Sequence, residues 1–494
     1  MFKNEVSEFI FKRTYARWLE DDKRREEWPE TIERFISFIK SERGDLVPPK
    51  TFRKIEKYLL EFSVMPSMRF LWSAGEAARR DNTVIYNCSF AKMNCVEAFA
   101  ECLHILMCGT GFGFSVEQEE VDKLPSIPEI KSGRDHPHQP IYDSREGWAD
   151  SVRILMKSLY EGQNLYFDYS QLRLEGARLT TMGGRSSGPQ PLIRLHDFIR
   201  ETMHNAQGRK LTTLEVHDVT NQIAEIVVAG GVRRSSQISL SDINDEDMRH
   251  AKDWPFPIRR AMANNSAIFR DKPDAADFLV EWGALAKSGT GERGIFNLLS
   301  AQNKAPSRRY APLIQGTNPC GEIMLRDMQF CNLSEVVVRQ DDDLDTLLDK
   351  VETATWLGII QSTFTSFPYL RKEWKKNCDV ERLLGVSLTG QMDNPSVLTS
   401  EALKALKSRV LRISRKASSI LGINMPAATT CVKPSGTVSQ LVDSASGVHP
   451  RYSEYYIRRY RIAASDPLFA MLKKQGVPCH PENGQDKKDA TTWV

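Results

Sequence analysis

Apolar positions along this chain change their spacing several times, and each change marks an element. Ile32, Phe35, Ile36 and Ile39 recur at i, i+3, i+4 and i+7 behind Pro29, which suits a first helical turn, so an amphipathic helix is predicted there. Gly44 and the pair Pro48-Pro49 end it. A second helix is predicted from about Val96 to Cys108, with Asn94 as N-cap, Phe99, Leu103, Leu106 and Met107 on one face, and Gly109 as the stop. Leu344, Leu347, Leu348 and Val351 mark another helical face. Extended stretches are expected at Ser236–Leu240 and at Asn332–Val338, whose β-branched end reads as a strand. The alternating run Tyr455–Ile462 predicts a half-exposed strand in preference to a nucleic-acid surface. Residues 118–191 are richer in Gly, Pro and Ser and less regular, Met182–Pro189 being the loosest part. Helix-like and strand-like runs alternate, which argues for an α/β fold.

Length and charge narrow the class. A chain of 494 residues can bury a large core, and 67 Lys+Arg against 64 Asp+Glu leave a net charge of only +3, which gives no reason to expect a nucleic-acid partner. No apolar run reaches transmembrane length and the N-terminus lacks a signal-peptide core, so a cytoplasmic protein without a membrane partner is expected. The nine cysteines include no C-x-x-C pair, which speaks against a secreted disulfide framework or a structural zinc site. His136 and His138 flank Pro137 in a loop, and no metal site is expected from them. Gly109–Gly113 follows a helix and leads into an extended run, the reverse of the strand-loop-helix order of a dinucleotide loop.

Candidate chemistry concentrates in Asn318-Pro319-Cys320-Gly321-Glu322, which packs an amide, a thiol and a carboxylate into one turn. Pro319 and Gly321 suit a tight exposed loop, and the thiol can exchange a hydrogen atom or proton while its neighbours orient a substrate hydroxyl. Cys331 opens the valine-rich strand, so one thiol is expected on a loop and another at a strand mouth.

Read with Met65–Arg69, Tyr86–Phe90, Leu106–Glu117, Gly230–Arg234 and Lys433–Thr437, in order along the chain, the pentapeptide resembles the catalytic subunit of ribonucleotide reductases. The resemblance is strongest to class II, the adenosylcobalamin-dependent ribonucleoside-triphosphate reductases. It implies that Cys320 becomes a thiyl radical that removes the ribose 3′ hydrogen, that Glu322 takes the 3′-hydroxyl proton, and that Asn318 holds the sugar. Cys88 and Cys331 are implied to deliver two electrons and protons and to end as a disulfide. Pro434, Ser435, Gly436 and Thr437 are implied to hold the substrate phosphates, with Ser67, Asn87 and Gly111 lining the nucleotide pocket. Further implications are adenosylcobalamin as cofactor, a ribonucleotide substrate, a deoxynucleoside-triphosphate effector bound near residues 118–191, and a thioredoxin-like reductant.

The implied fold is a ten-stranded α/β barrel with the radical cysteine on a central finger loop, preceded by a helical region over residues 1–60 and occupying 61–494. That opening region is too small for a separate ATP-binding cone. Relatives of this type continue through further barrel elements and a two-cysteine tail, so an incomplete barrel is expected, with a companion chain as one source of the remainder. Two competing readings stay open. One is a class I catalytic subunit supplied by a separate metal radical subunit, the other a non-catalytic nucleotide-binding fragment.

Overall fold

The computed structural model describes residues 2–494 except 132–137, 178–185, 230–235, 465, 483–484, 489 and 491. The Gly230–Arg234 motif, His136 and Met182–Arg185 therefore lie outside the described residues. Helix α1 spans Trp28–Arg43, with Pro29 in its first turn and a reciprocal capping box between Glu27 and Glu30. Its predicted face, Ile32, Phe35, Ile36 and Ile39, is buried. Pro48 caps the next helix, α2 (Pro49–Leu60), so the proline pair ends one helix and starts another. A short strand, β1 (Val64–Pro66), follows, then helix α3 (Met68–Ser73), whose first turn is capped by the Ser67 hydroxyl accepting from Phe70 N–H at 3.2 Å.

Strand β2 (Cys88–Lys92), helix α4 (Val96–Met107) and strand β3 (Gly111–Ser115) form a parallel β-α-β unit. Gly109 ends α4 with φ +78°, a left-handed conformation that suits glycine. The predicted N-cap is corrected: Cys95 holds that position, and the Asn94 amide donates instead to Glu120 at 2.9 Å. The supposedly irregular stretch 118–191 contains a full helix, α5 (Arg145–Tyr160), capped by Ser144 and burying Val152, Leu155, Met156 and Leu159. Its apolar period was obscured by turn-rich sequence on both sides. Helices α6 (Gln190–Asn205) and α7 (Thr213–Ala229) lead into strands β4 (Gln237–Asp242) and β5 (Ala263–Phe269), then helix α8 (Ala275–Ser288) and strand β6 (Gly294–Asn297).

The short strands β7 (Gly316–Thr317) and β8 (Met324–Leu325) make an antiparallel hairpin. After it come β9 (Gln329–Phe330), β10 (Leu333–Val337), helix α9 (Leu344–Ser362), β11 (Gly385–Thr389), helix α10 (Ser400–Leu421) and the short α11 (Gly436–Leu441). One sheet has the order β6-β5-β4-β3-β2-β9, its first five strands parallel and β9 antiparallel to β2. A second has the order β11-β10-β1, with β10 parallel to β11 and antiparallel to β1. Only Cys331 and Asn332 separate β9 from β10, so the chain crosses from one sheet to the other at the second predicted thiol.

Helices α1, α2, α4, α5 and α9 share one hydrophobic cluster, while a smaller cluster of Cys88, Phe90, Ile323, Leu325, Cys331 and Leu333 lies where the two sheets meet the hairpin. The predicted strand at Tyr455–Ile462 is corrected. Only Ile462 enters a two-residue strand, and Tyr455, Tyr456 and Ile457, successive positions of both parities, are all exposed. Alternation in sequence produced no alternation in burial because, among the described residues, no sheet face backs this segment.

Candidate active site

The hairpin tip carries Asn318–Glu322 between β7 and β8. Asn318 accepts from Gly321 N–H through its carbonyl at 2.9 Å and donates its own N–H to the Ile323 carbonyl at 3.2 Å, which closes the turn. Its side-chain oxygen accepts from Ile323 N–H at 2.9 Å, and its amide donates to Glu322 Oε2 at 2.7 Å. The buried amide thus fixes the direction of the carboxylate. Gly321 has φ +81° and nothing within 4 Å of where a Cβ would lie, so the tip is open.

The hairpin rests on the face of β2 and β3. A Cβ on Gly316 would fall 2.2 Å from the Phe90 ring, and one on Gly113 would fall 2.4 Å from the Thr317 carbonyl oxygen. Two glycines on facing elements therefore allow the backbone of the tip to lie against the sheet. Gly111 works similarly at the thiols, where a Cβ would meet Cys88 Sγ and Pro319 Cγ, each at 3.3 Å.

Three thiols converge at this point. Gln329 pairs with Phe90 and Phe330 with Ser89, so the antiparallel register brings Cys331 opposite Cys88, and Cys331 N–H donates to the Cys88 carbonyl at 2.9 Å. Directly opposed residues in such a ladder have Cα atoms about 4.5–5.5 Å apart, within the range that a disulfide bridges. The sulfurs of both Cys320 and Cys331 lie near enough to that of Cys88 to shift its titration. All three are free thiols, with Cys320 exposed and the other two buried. The Cys320 thiol is pushed up by its hydrogen bond with Cys88 and then by burial of its sulfur. For Cys88 the hydrogen bond with Cys320 acts downward, but the one with Cys331 and burial carry it well above the ordinary range. Burial raises Glu322, against the pull of Asn318 and the Lys433 ammonium.

Sequence reasoning missed the charged wall beside Glu322. Glu335, in the middle of β10, accepts from Lys433 Nζ on one oxygen and from Ser435 Oγ on the other. Burial works against the Lys433 ammonium, yet Glu335 holds it above its ordinary value. Cys431, which sequence offered no reason to separate from the other structural cysteines, packs against the same small cluster and feels the charges of Glu322 and Lys433. A carboxylate four residues past Cys331, in a fully buried strand that otherwise holds only Ser334 and aliphatic residues, was the available signal for Glu335.

The other predicted binding residues lie in different settings. Ser67 is buried and its hydroxyl serves as a helix cap, while Asn87 accepts from Arg69 N–H at 3.3 Å and, through its carbonyl, from Gly111 N–H at 2.7 Å. In Pro434–Thr437 the Ser435 hydroxyl is already engaged by Glu335, whereas Gly436 and Thr437 are exposed. His138 stacks on Tyr166.

A second buried polar group lies behind α4. Asp81, His104 and Cys108 bring ligand-type atoms within 4.8 Å of one another, with His104 Nε2 to Asp81 Oδ2 at 2.8 Å. Arg145 donates to Cys108 Sγ at 3.0 Å, so a guanidinium already supplies positive charge at the sulfur, and the group is a hydrogen-bonded charge network.

The site thus sets three thiols beside an amide-oriented carboxylate, on a hairpin backed by a parallel sheet. Residues 1–76 match the ribonucleotide reductase alpha domain. The adenosylcobalamin-dependent ribonucleoside-triphosphate reductase of Levilactobacillus brevis is 29% identical over 595 residues, covering 97% of this chain and 77% of that protein. The enzyme of the same description from Lactobacillus acidophilus is 28% identical over 589 residues, covering 97% and 78%. The crystal structure of a B12-dependent class II ribonucleotide reductase superposes with a TM-score of 0.80 at 24% identity, covering 98% of this chain and 80% of that one. The Actinobacillus ureae class Id alpha subunit gives 0.58 at 14% identity, covering 96% and 79%. Over nearly its whole length the chain is similar to ribonucleotide reductase catalytic subunits. Within that family its likeness is to the class II, adenosylcobalamin-dependent enzymes.

Proposed function

We propose that this chain reduces ribonucleoside triphosphates to 2′-deoxyribonucleotides by thiyl-radical chemistry at Cys320. The observation that carries the reading is the register that sets Cys331 opposite Cys88, with the hairpin tip bearing Cys320 and Glu322 packed on the same strands. Cys320, as a thiyl, takes the 3′ hydrogen atom. Glu322, raised by burial and oriented by Asn318, accepts the 3′-hydroxyl proton. The 2′-hydroxyl leaves as water. Cys88 and Cys331 give up two protons and two electrons and become a disulfide, so the sugar gains hydrogen at C2′ as two thiols are oxidised. Cys320 then returns the hydrogen to C3′, and Glu322 returns its proton to the 3′ oxygen.

Adenosylcobalamin, the cofactor named in the relatives, supplies radical initiation when bound. The fit is favourable because Cys320 is exposed and Gly321 is surrounded by open space, so these two residues would face a bulky group. Substrate phosphates fall to the turn before α11, where Gly436 and Thr437 are open. The five parallel strands β2 to β6 and the parallel pair β10 and β11, with residue 430 bridged parallel to β11, support a barrel around the hairpin as finger loop. The effector near α5 and a thioredoxin-like reductant belong to the same reading.

The test compares thiol variants in the presence of adenosylcobalamin, a small dithiol and a ribonucleoside triphosphate. Cys320→Ser is expected to abolish deoxynucleotide formation and exchange of the 3′ hydrogen. Cys88→Ser and Cys331→Ser are expected to retain 3′ exchange and lose clean product. Undiminished product from Cys320→Ser would remove the proposal.

A further inference from the structure

A carboxylate on a neighbouring helix holds the base of the hairpin. Glu381 is the last residue of the helix Lys372–Glu381 and is 1% exposed. The Arg309 guanidinium meets it as a fork, Nε to Oε1 at 3.0 Å and Nη2 to Oε2 at 2.8 Å. Arg326 Nη2 reaches Oε1 at 2.9 Å, and Gln329 Nε2 donates to Oε2 at 2.9 Å. An ionised carboxylate so deep in the protein is strongly unfavourable unless its oxygens are matched, and these donors match them. Arg309 precedes β7 and Arg326 directly follows β8, so both limbs of the hairpin that bears Cys320 end on this one group. Gln329 lies in β9, two residues before Cys331, and its Oε1 accepts from Arg326 N–H at 2.9 Å. The helix is tied down in turn. Asn377 Nδ2 donates to the carbonyls of Asp327 at 2.8 Å and Met328 at 3.2 Å, and the Glu381 carbonyl accepts from Ala427 N–H at 2.8 Å.

We propose that Glu381 is a positioning residue for Cys320: by tying both limbs of the hairpin to the strand that leads into Cys331, it sets the distance from the Cys320 thiol to the Cys88 and Cys331 pair. That pair is held by other means, the β2–β9 register and the Cys331 N–H bond to the Cys88 carbonyl. Cys320 sits at a tip whose own ladder is only Gly316 with Leu325 and Thr317 with Met324, so its place over the sheet follows from where the limbs are fixed. Gly113 and Gly316 let the hairpin approach the sheet, and Glu381 stops it from sliding along it. The inference rests on the proposed reaction at Cys320 and deepens it.

The test treats the full chain with diamide, which takes two electrons and two protons from a pair of thiols and leaves a disulfide, and maps the links by mass spectrometry. In a Cys331→Ser background, adding Glu381→Gln is expected to slow the Cys88–Cys320 link about tenfold, less than the hundredfold of a full 1 Å misplacement because glutamine keeps the shape. Glu381→Gln alone is expected to leave the rate of the Cys88–Cys331 link within about twofold. In turnover with adenosylcobalamin, a small dithiol and CTP, Glu381→Gln is expected to lower kcat about tenfold and to leave KM for CTP within about twofold, the pattern of a loss confined to the reacting groups. Should Glu381→Gln melt below the assay temperature, Arg326→Gln keeps the Arg309–Glu381 fork and frees one limb, and the same selective slowing of the Cys88–Cys320 link is expected. An unchanged Cys88–Cys320 rate, equal slowing of both links, or a raised KM with kcat unchanged would each overturn the inference. A wild-type chain that forms the Cys88–Cys331 link and yields no deoxynucleotide would instead remove the functional reading on which it rests.

Discussion

Gly113→Ala tests the idea that the hairpin is seated by missing side chains. The new methyl would lie 2.4 Å from the Thr317 carbonyl oxygen, a backbone atom that cannot rotate away, with Phe90 and Ile238 at 3.2 and 3.3 Å closing the sides. A carbon–oxygen contact needs about 3.3 Å, so the hairpin must retreat by roughly 0.9 Å, since the strands below are held by their own ladder. Overpacking of this kind destabilises by about 1–3 kcal/mol. A displacement near 1 Å of reacting groups lowers turnover by about a hundredfold. Asn318, Cys320 and Glu322 move with the hairpin, whereas Cys88 and Cys331 stay paired across β2 and the end of β9. The assay is turnover together with mass-spectrometric mapping of disulfides after mild oxidation. Expected results are about a hundredfold loss of turnover, a drop in any Cys88–Cys320 cross-link, and an undiminished Cys88–Cys331 link. Wild-type turnover, or loss of both links together, would refute the argument.

In the wild-type protein mild oxidation should join Cys88 to Cys331 in preference to any pair of the other thiols, and Cys331→Ser should redirect Cys88 to Cys320, read by the same mapping. The His104 imidazole is lowered by burial but lifted more by the Cys108 sulfur and Asp81, to about 10. A raised folded-state value stabilises fully below the unfolded value near 6.5 and is lost as pH rises through about 10. His104→Gln should therefore lower the melting temperature more at pH 6 than at pH 10, and a deficit that is equal at both would contradict the charged network. Glu281, the only residue buried among those of α8, accepts from Arg293 at 2.7 Å and Arg249 at 3.0 Å. Glu281→Ala should reduce unfolding free energy by about 3 kcal/mol through the stranded Arg293 charge, measured by denaturant titration.

How much was legible depended on the range of the interaction. Helices α1, α4 and α9 could be read because their apolar period is a local property that burial then used, with Leu344 at the exposed start of α9 the exception. The helix α5 escaped because its flanks are rich in turn residues, and the Tyr455–Ile462 strand failed because alternation means nothing without a sheet to back it. Asn318, Cys320 and Glu322 were legible as a unit, since four residues of chain hold all three functional groups. Cys331 was legible as a thiol at a strand mouth, but Cys88 and its pairing with Cys331 came only through family resemblance, because nothing local links them.

Sequence by itself determined the periods of the helices and the turn that presents Cys320, since each depends on residues within a few positions. Only the tertiary structure decided that Cys88 lies opposite Cys331, that Gly113 lies under Thr317, and that Glu335 holds Lys433 and Ser435. Those contacts join residues about a hundred or more positions apart, and strand register and sheet crossing, which no local pattern encodes, bring them within reach.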